Sequence, residues 1–151
     1  MCHTEANQQS ASDKKWPLQD SECGVDCFAD RVEVFAKAVA DAFLLESSCV
    51  SKERLETIGA RSNGDHPALR EGSHVYVAYS GECPLYAGET GVTVRTRFKS
   101  DGSGSHDRKQ WYEEVSHVRF VSLSCDSEYY RKLIEAALVV GLRPREQMPV
   151  R

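Results

Sequence analysis

Two short runs with strand periodicity, residues 74–79 and 85–90, are separated by Ser80-Gly81-Glu82-Cys83-Pro84. This pairing constrains the chain more than any other feature. Val75 and Val77 alternate with Tyr76 and Ala78, the period-two pattern of a strand with two distinct faces. Gly81 and Pro84 supply turn chemistry, so the two runs read as a hairpin. Each arm carries a tyrosine, Tyr76 and Tyr86, and an arginine-bearing segment with Arg95 and Arg97 follows. Two phenols and a guanidinium gathered at one hairpin edge have the chemistry to handle a phosphodiester.

A second constraint lies further on. Glu135 interrupts an apolar run, Leu133-Ile134-Glu135-Ala136-Ala137-Leu138-Val139-Val140. A lone acid in such a segment is costly to bury without a partner, and a metal ion is one natural partner. Arg131, four positions earlier, is the ion-pair partner it could take instead.

Around these segments the sequence predicts helices and one more strand. Phe28, Val32, Phe35, Ala36, Val39, Ala40 and Phe43 recur at helical spacing over residues 25–45. Ser51 reads as the cap of a short second helix with Glu53 in its first turn. Residues 59–72 carry Gly, Asn, Asp and Pro and read as a linker. Thr90 is placed to cap a helix bearing Val92, Val94 and Phe98, although β-branched residues suit helices poorly. Residues 101–105 are a Gly/Ser loop, 111–115 a short helix and 117–123 a third strand. Asp126 or Ser127 caps a last helix through Val140, with Gly141 as its stop and Pro144 just beyond.

At 151 residues with 40% hydrophobic and 28% charged side chains, the composition is that of one globular domain with a core. Its organisation reads as a disordered tail over 1–20, a helical extension and linker over 21–71, and a core over 72–151. No apolar run is long enough to span a membrane and the first thirty residues are polar, which argues for a cytoplasmic protein. Six scattered cysteines lack zinc-site spacing and read as reduced thiols. The net charge of −4 speaks mildly against a general nucleic-acid binder. Basic residues nevertheless bunch in the second half, at Arg95, Arg97, Lys99, Arg108, Lys109, Arg131, Lys132, Arg143 and Arg145. A phosphate-contacting face could be assembled from them.

The order of these elements resembles the GIY-YIG nuclease superfamily, over roughly residues 72–148. His74-Val75-Tyr76 occupies the place of the first family motif and Tyr86-Ala87-Gly88 that of the second. An arginine helix follows. Then come Glu135, an apolar run, the Arg143-Pro144 pair and the amide residue Gln147, in the family's order. His74 stands where the motif usually has Gly, Ala87 where Ile or Val is usual, and Gln147 where Asn is common. The resemblance implies an α/β fold: a small three-stranded antiparallel sheet flanked by helices, here with an N-terminal helical extension.

It also implies an activity, Mg²⁺-dependent (or Mn²⁺-dependent) endonucleolytic cleavage of DNA. In this reading Tyr76 is the general base and Tyr86 positions the water or phosphate. Arg97, or Arg95 in the alternative register, stabilises the transition state. Glu135 is the single protein ligand of the metal. His106 resembles a histidine that some members carry, binding phosphate or assisting the leaving group. The alternative is a catalytically weak or inactive module that binds nucleic acid or a protein partner. The helix over 25–45 packs in either case, and could support a homodimer.

Overall fold

The computed structural model describes residues 25–58, 66–99 and 104–148. The tail expected over 1–20 and parts of the expected linker and Gly/Ser loop lie outside the described residues. The chain is a mixed α/β protein. Helix α1 (Val25–Glu46) leads into strand β1 (Ser48–Ser51) and helix α2 (Lys52–Thr57). The hairpin follows as β2 (Ser73–Ser80) and β3 (Cys83–Thr90), then the single helical turn α3 (Val94–Arg97), strand β4 (His117–Leu123) and helix α4 (Glu128–Leu142).

The sheet has four strands in the order β1-β4-β2-β3, every neighbouring pair antiparallel. The three expected strands are there, and the expectation of only three is corrected by β1. Ser48–Ser51 has no apolar alternation of its own. It is a strand because it pairs with β4, Ser48 opposite Phe120 and Ser51 opposite His117.

β2 lies at the centre and is buried on both faces. Tyr76 and Ala78 join one core cluster with Leu55, Leu85, Phe98 and Phe120. Val75, Val77 and Tyr79 join the other with Ala40, Phe43 and Leu138. Each of these large apolar side chains contributes roughly 1.5–3 kcal/mol by leaving water. His74 is also buried, and both ring nitrogens are satisfied: Nε2 lies 2.8 Å from the Arg70 carbonyl and Nδ1 3.0 Å from Ser122 Oγ. His74 is thus a structural residue that ties β2 to β4 and to the segment before it.

Three helix expectations are revised. Thr90 does not cap a helix. It ends β3, fully buried, and its Oγ1 accepts from the Val92 amide. Thr93 is the cap, its Oγ1 accepting from the Thr96 amide at 3.1 Å, and α3 stops after one turn where Phe98 leaves the helical path to enter the core. Among the described side chains of α1, Ala36, Ala40 and Phe43 are the buried ones. Phe28, Val32 and Phe35, expected on the same face, are 71%, 40% and 55% exposed, so the packing among them lies in the second half of the helix.

Gly141 is the third revision. It does not end α4, which continues to Leu142 and closes on Arg143 in the left-handed region (φ 53°). A Cβ on Gly141 would lie 2.5 Å from the Ala36 carbonyl oxygen and 2.9 Å from Ala40 Cβ. The glycine is there because α1 and α4 cross at backbone contact. Among the cysteines, Cys27 is disulfide-bonded, against the expectation of a reduced thiol, whereas Cys49, Cys83 and Cys125 are free. Among the described residues no helix is long and apolar enough to cross a membrane.

Gly141→Ala is expected to lower stability by about 1–3 kcal/mol through overpacking, although alanine gains about 1 kcal/mol of helix propensity. Urea unfolding of the two proteins measures it. An unchanged or raised midpoint would contradict the close crossing.

Candidate active site

Tyr76 faces Gly88 directly across the β2–β3 ladder. Side chains opposite each other on one sheet face compete for the same space. A Cβ on residue 88 would lie 2.5 Å from the Tyr76 hydroxyl and 2.6 Å from its Cζ. The glycine therefore leaves the room that the tyrosine ring fills. Tyr86 is opposite Ala78, two residues along the same arm, and so shares the sheet face of Tyr76.

The bend between Ala78 and Tyr79, where the register shifts, is a β-bulge that the periodicity did not reveal. From the outer side, Gln147 pairs with β3 as a neighbouring strand would. Its Oε1 accepts from the Ala87 amide at 2.7 Å and its Nε2 donates to the Ala87 carbonyl at 2.8 Å. This satisfies an edge strand between the two residues that matter most, Tyr86 and Gly88.

A cavity of about 460 Å³ opens over these residues. Tyr76, Tyr86, Arg97, His106 and Glu135 all line it, so five of the six expected site residues come together. Arg97 is among its lining residues and Arg95 is not. Lys109, one of the bunched basic residues, also lines it, and Glu89, Ser105, Trp111 and Glu146, not expected there, complete the walls. Glu89 directly follows the second motif and was open to notice. Trp111 is 7% exposed and stacks on Tyr86, ring centroids 5.1 Å apart and planes 13° apart, so it is at once a core residue and a cavity wall.

His106 departs most from expectation. It belongs to a Gly/Ser loop, where an exposed ring is ordinary, yet it is 6% exposed. The rings of Tyr86, Phe98 and Trp111 surround it at 5.0–5.3 Å, and Tyr76 at 5.8 Å. Its backbone amide donates to the Arg97 carbonyl, and Arg97 Nη1 donates to Ser105 Oγ at 2.9 Å, which folds the loop back onto α3. His106 Nε2 lies 2.7 Å from the Tyr76 hydroxyl, while Nδ1 is buried without a partner among the described residues.

Burial pushes the His106 pKa down to about 4, with the charges of Arg97 and Lys109 acting in the same direction. The ring is therefore neutral at neutral pH, and Nε2 is free to accept the tyrosine proton. Burial pushes the Tyr76 phenol well above its ordinary value, and Tyr86 and Glu135 add to the effect against the opposing pull of Arg97. Tyr86 is raised by burial and by Glu135.

Glu135 is half-buried, and its carboxyl is raised by burial first and by Glu89 second. Arg131, the ion-pair partner available one turn earlier, bonds Glu89 at 2.6 Å instead. Glu135 itself makes no ion pair among the described residues. A half-buried carboxylate in the field of a second one, with Lys132 acting on it but forming no ion pair, has charge that a divalent ion would balance. No cluster of three or more His, Cys, Asp or Glu side chains is present among the described residues. A hard ion that keeps most of its waters needs no such cluster.

No protein-family model, curated protein or solved structure matches the chain. The site is read from its own geometry.

Acid stability tests that geometry. A histidine whose folded pKa lies below its unfolded value contributes stability that is complete above the unfolded pKa of 6.5 and is lost as pH falls toward about 4. His66, His74 and His117 are shifted in the same direction, so the wild-type urea midpoint should fall over this window. The difference between wild type and His106→Asn isolates one proton, with a limiting slope of about 1.4 kcal/mol per pH unit. Parallel profiles for the two proteins would mean that His106 titrates as it does in the unfolded chain.

Proposed function

We propose that the chain is a small Mg²⁺-dependent (or Mn²⁺-dependent) DNA endonuclease of the GIY-YIG type. The observation that carries this reading is the convergence of Tyr76, Tyr86, Arg97, His106 and Glu135 on one cavity. The sequence resemblance names the same residues. The central strand between two antiparallel neighbours, followed by α3 and α4, is consistent with it.

Hydrolysis of a phosphodiester needs a water aligned and deprotonated, and charge stabilised on the phosphoryl oxygens. Tyr76 is the general base of this scheme. Its buried phenol is unsuited to holding a negative charge, so it takes the water's proton only as it gives up its own. Neutral His106, 2.7 Å away, accepts the hydrogen bond of that phenol and orients it, and takes its proton only with the phosphate's negative charge bound beside it to offset burial and the charges of Arg97 and Lys109. Tyr86, held flat against Trp111, positions the water or the scissile phosphate. Arg97 meets the phosphoryl oxygens with a planar pair of N–H groups, and Lys109 adds a point charge on the same wall. Glu135 would hold the divalent ion, with waters and substrate phosphate completing its shell. Bound there, the ion supplies neutralising charge to the phosphate.

DNA is the substrate that the basic residues around α3 and the following loop favour. The exposed apolar stripe of Phe28, Val32 and Phe35 on α1 offers a surface on which two copies could pair, the arrangement that cutting both strands would use. One observation favours the alternative, a module that binds without cutting: Tyr76 is only 2% exposed, closed in by His106 and the hairpin.

Nicking of supercoiled plasmid separates the two. Cleavage should require Mg²⁺ or Mn²⁺ and fall about 100-fold or more in Tyr76→Phe, Arg97→Gln and Glu135→Gln. Gly88→Ala should fall with them, because its Cβ occupies the place of the Tyr76 ring. Binding of duplex DNA without cleavage under any divalent ion would favour the module. Cleavage that survives Glu135→Gln would remove the metal reading.

A further inference from the structure

Arg131 holds three partners at once beside the cavity. Its Nε donates to Glu89 Oε2 at 2.6 Å, and its Nη1 donates to Ser73 Oγ at 3.0 Å and to Asp126 Oδ1 at 3.2 Å. Ser73 in turn donates to Asp126 at 2.9 Å. The guanidinium lies over Gly91, where a Cβ would stand 3.0 Å from Nη2. Arg131 and Glu89 expose only 11% and 17% of their side chains, so solvent screens this pair far less than the surface pairs of α4.

The geometry selects between two carboxylates. Arg131 is one helical turn before Glu135 on α4, within ordinary reach of it. It turns to Glu89 instead. Glu89 and Glu135 line the same cavity, yet among the described residues only Glu89 of the two holds an ion pair; Lys132 acts on Glu135 through its charge without one.

We propose that Arg131 is a positioning residue for the divalent ion: by holding Glu89 it leaves Glu135 as the carboxylate next to the hairpin that holds no ion pair among the described residues. The proposal rests on the reading of Glu135 as the metal ligand. Two free carboxylates would bind a divalent ion more tightly and fill positions that water and a phosphate oxygen need. One carboxylate leaves those positions open. A lysine would match the charge but not the fork that reaches Glu89 and Ser73 together.

Free Mn²⁺, followed by its electron paramagnetic resonance signal, measures the effect without catalysis. Arg131→Gln should tighten Mn²⁺ binding by about tenfold, as affinity follows the charge of the ligands. Arg131→Gln combined with Glu89→Gln should return it to within about twofold of wild type. Glu89→Gln alone should leave it within about twofold, because Glu89 is already compensated.

Wild-type or weaker binding in Arg131→Gln would overturn the proposal. So would a loss of about tenfold in Glu89→Gln, which would make Glu89 a ligand and needs no change at Arg131. If wild type and Glu135→Gln bind Mn²⁺ equally, the metal reading itself has failed, and the proposal falls with it. If Glu135→Gln loses binding and Arg131→Gln changes nothing, only the role of Arg131 has failed.

Discussion

The Tyr76 ring lies against the bare α-carbon of Gly88, with its hydroxyl on His106. That packing organises the rest of the site. It requires a glycine opposite a tyrosine on the hairpin, and therefore one register of β2 against β3. It requires His106, on the segment that precedes Trp111, to turn inward until its imidazole meets the phenol. The two neighbours that keep the imidazole dry, Phe98 and Trp111, come from either side of it in the chain. Removing either partner of the Tyr76–His106 hydrogen bond strands the other in the core, which costs about 1–3 kcal/mol. Fold and candidate chemistry therefore share one set of contacts.

The charges divide in the same economical way. Burial and its neighbouring cations keep His106 neutral, and burial keeps Tyr76 protonated. Arg131 is committed to Glu89 and Arg145 to Glu114, which leaves Arg97 and Lys109 facing the cavity. Gln147 contributes no charge and still matters, because its amide closes both hydrogen-bonding groups of Ala87 on the open edge of the sheet. A shorter amide in that place would have to approach from nearer the strand. The observed glutamine reaches it from the turn formed by Arg145–Gln147.

The hairpin, the third strand and the last helix were legible because their signals are local. Period-two alternation, a turn between the arms, and the Ser127 and Ser51 caps all operate within a few residues. The extra strand β1 was not legible, since a four-residue Ser-Cys-Val-Ser segment is a strand only through its partner β4. The length of α3 was misjudged for a related reason: Phe98 prefers the core to another helical turn, and sequence spacing does not register that competition. Gly141 looked like a helix stop because glycine so often is one, whereas here it admits the backbone of α1. The family resemblance points to Tyr76, Tyr86 and Glu135, all of which line the cavity, and leaves Arg95 and Arg97 both open. The burial of His106 and the cavity-lining places of Glu89 and Trp111 arise from tertiary packing that sequence spacing does not register.

The convergence of these residues about one divalent ion is most directly tested by anomalous diffraction from crystals grown with Mn²⁺. One peak is expected in the cavity, at coordination distance from a Glu135 carboxylate oxygen, with Tyr76, Tyr86 and Arg97 around it. A peak only at other surface carboxylates, with Glu135 turned away from the two tyrosines, would contradict it.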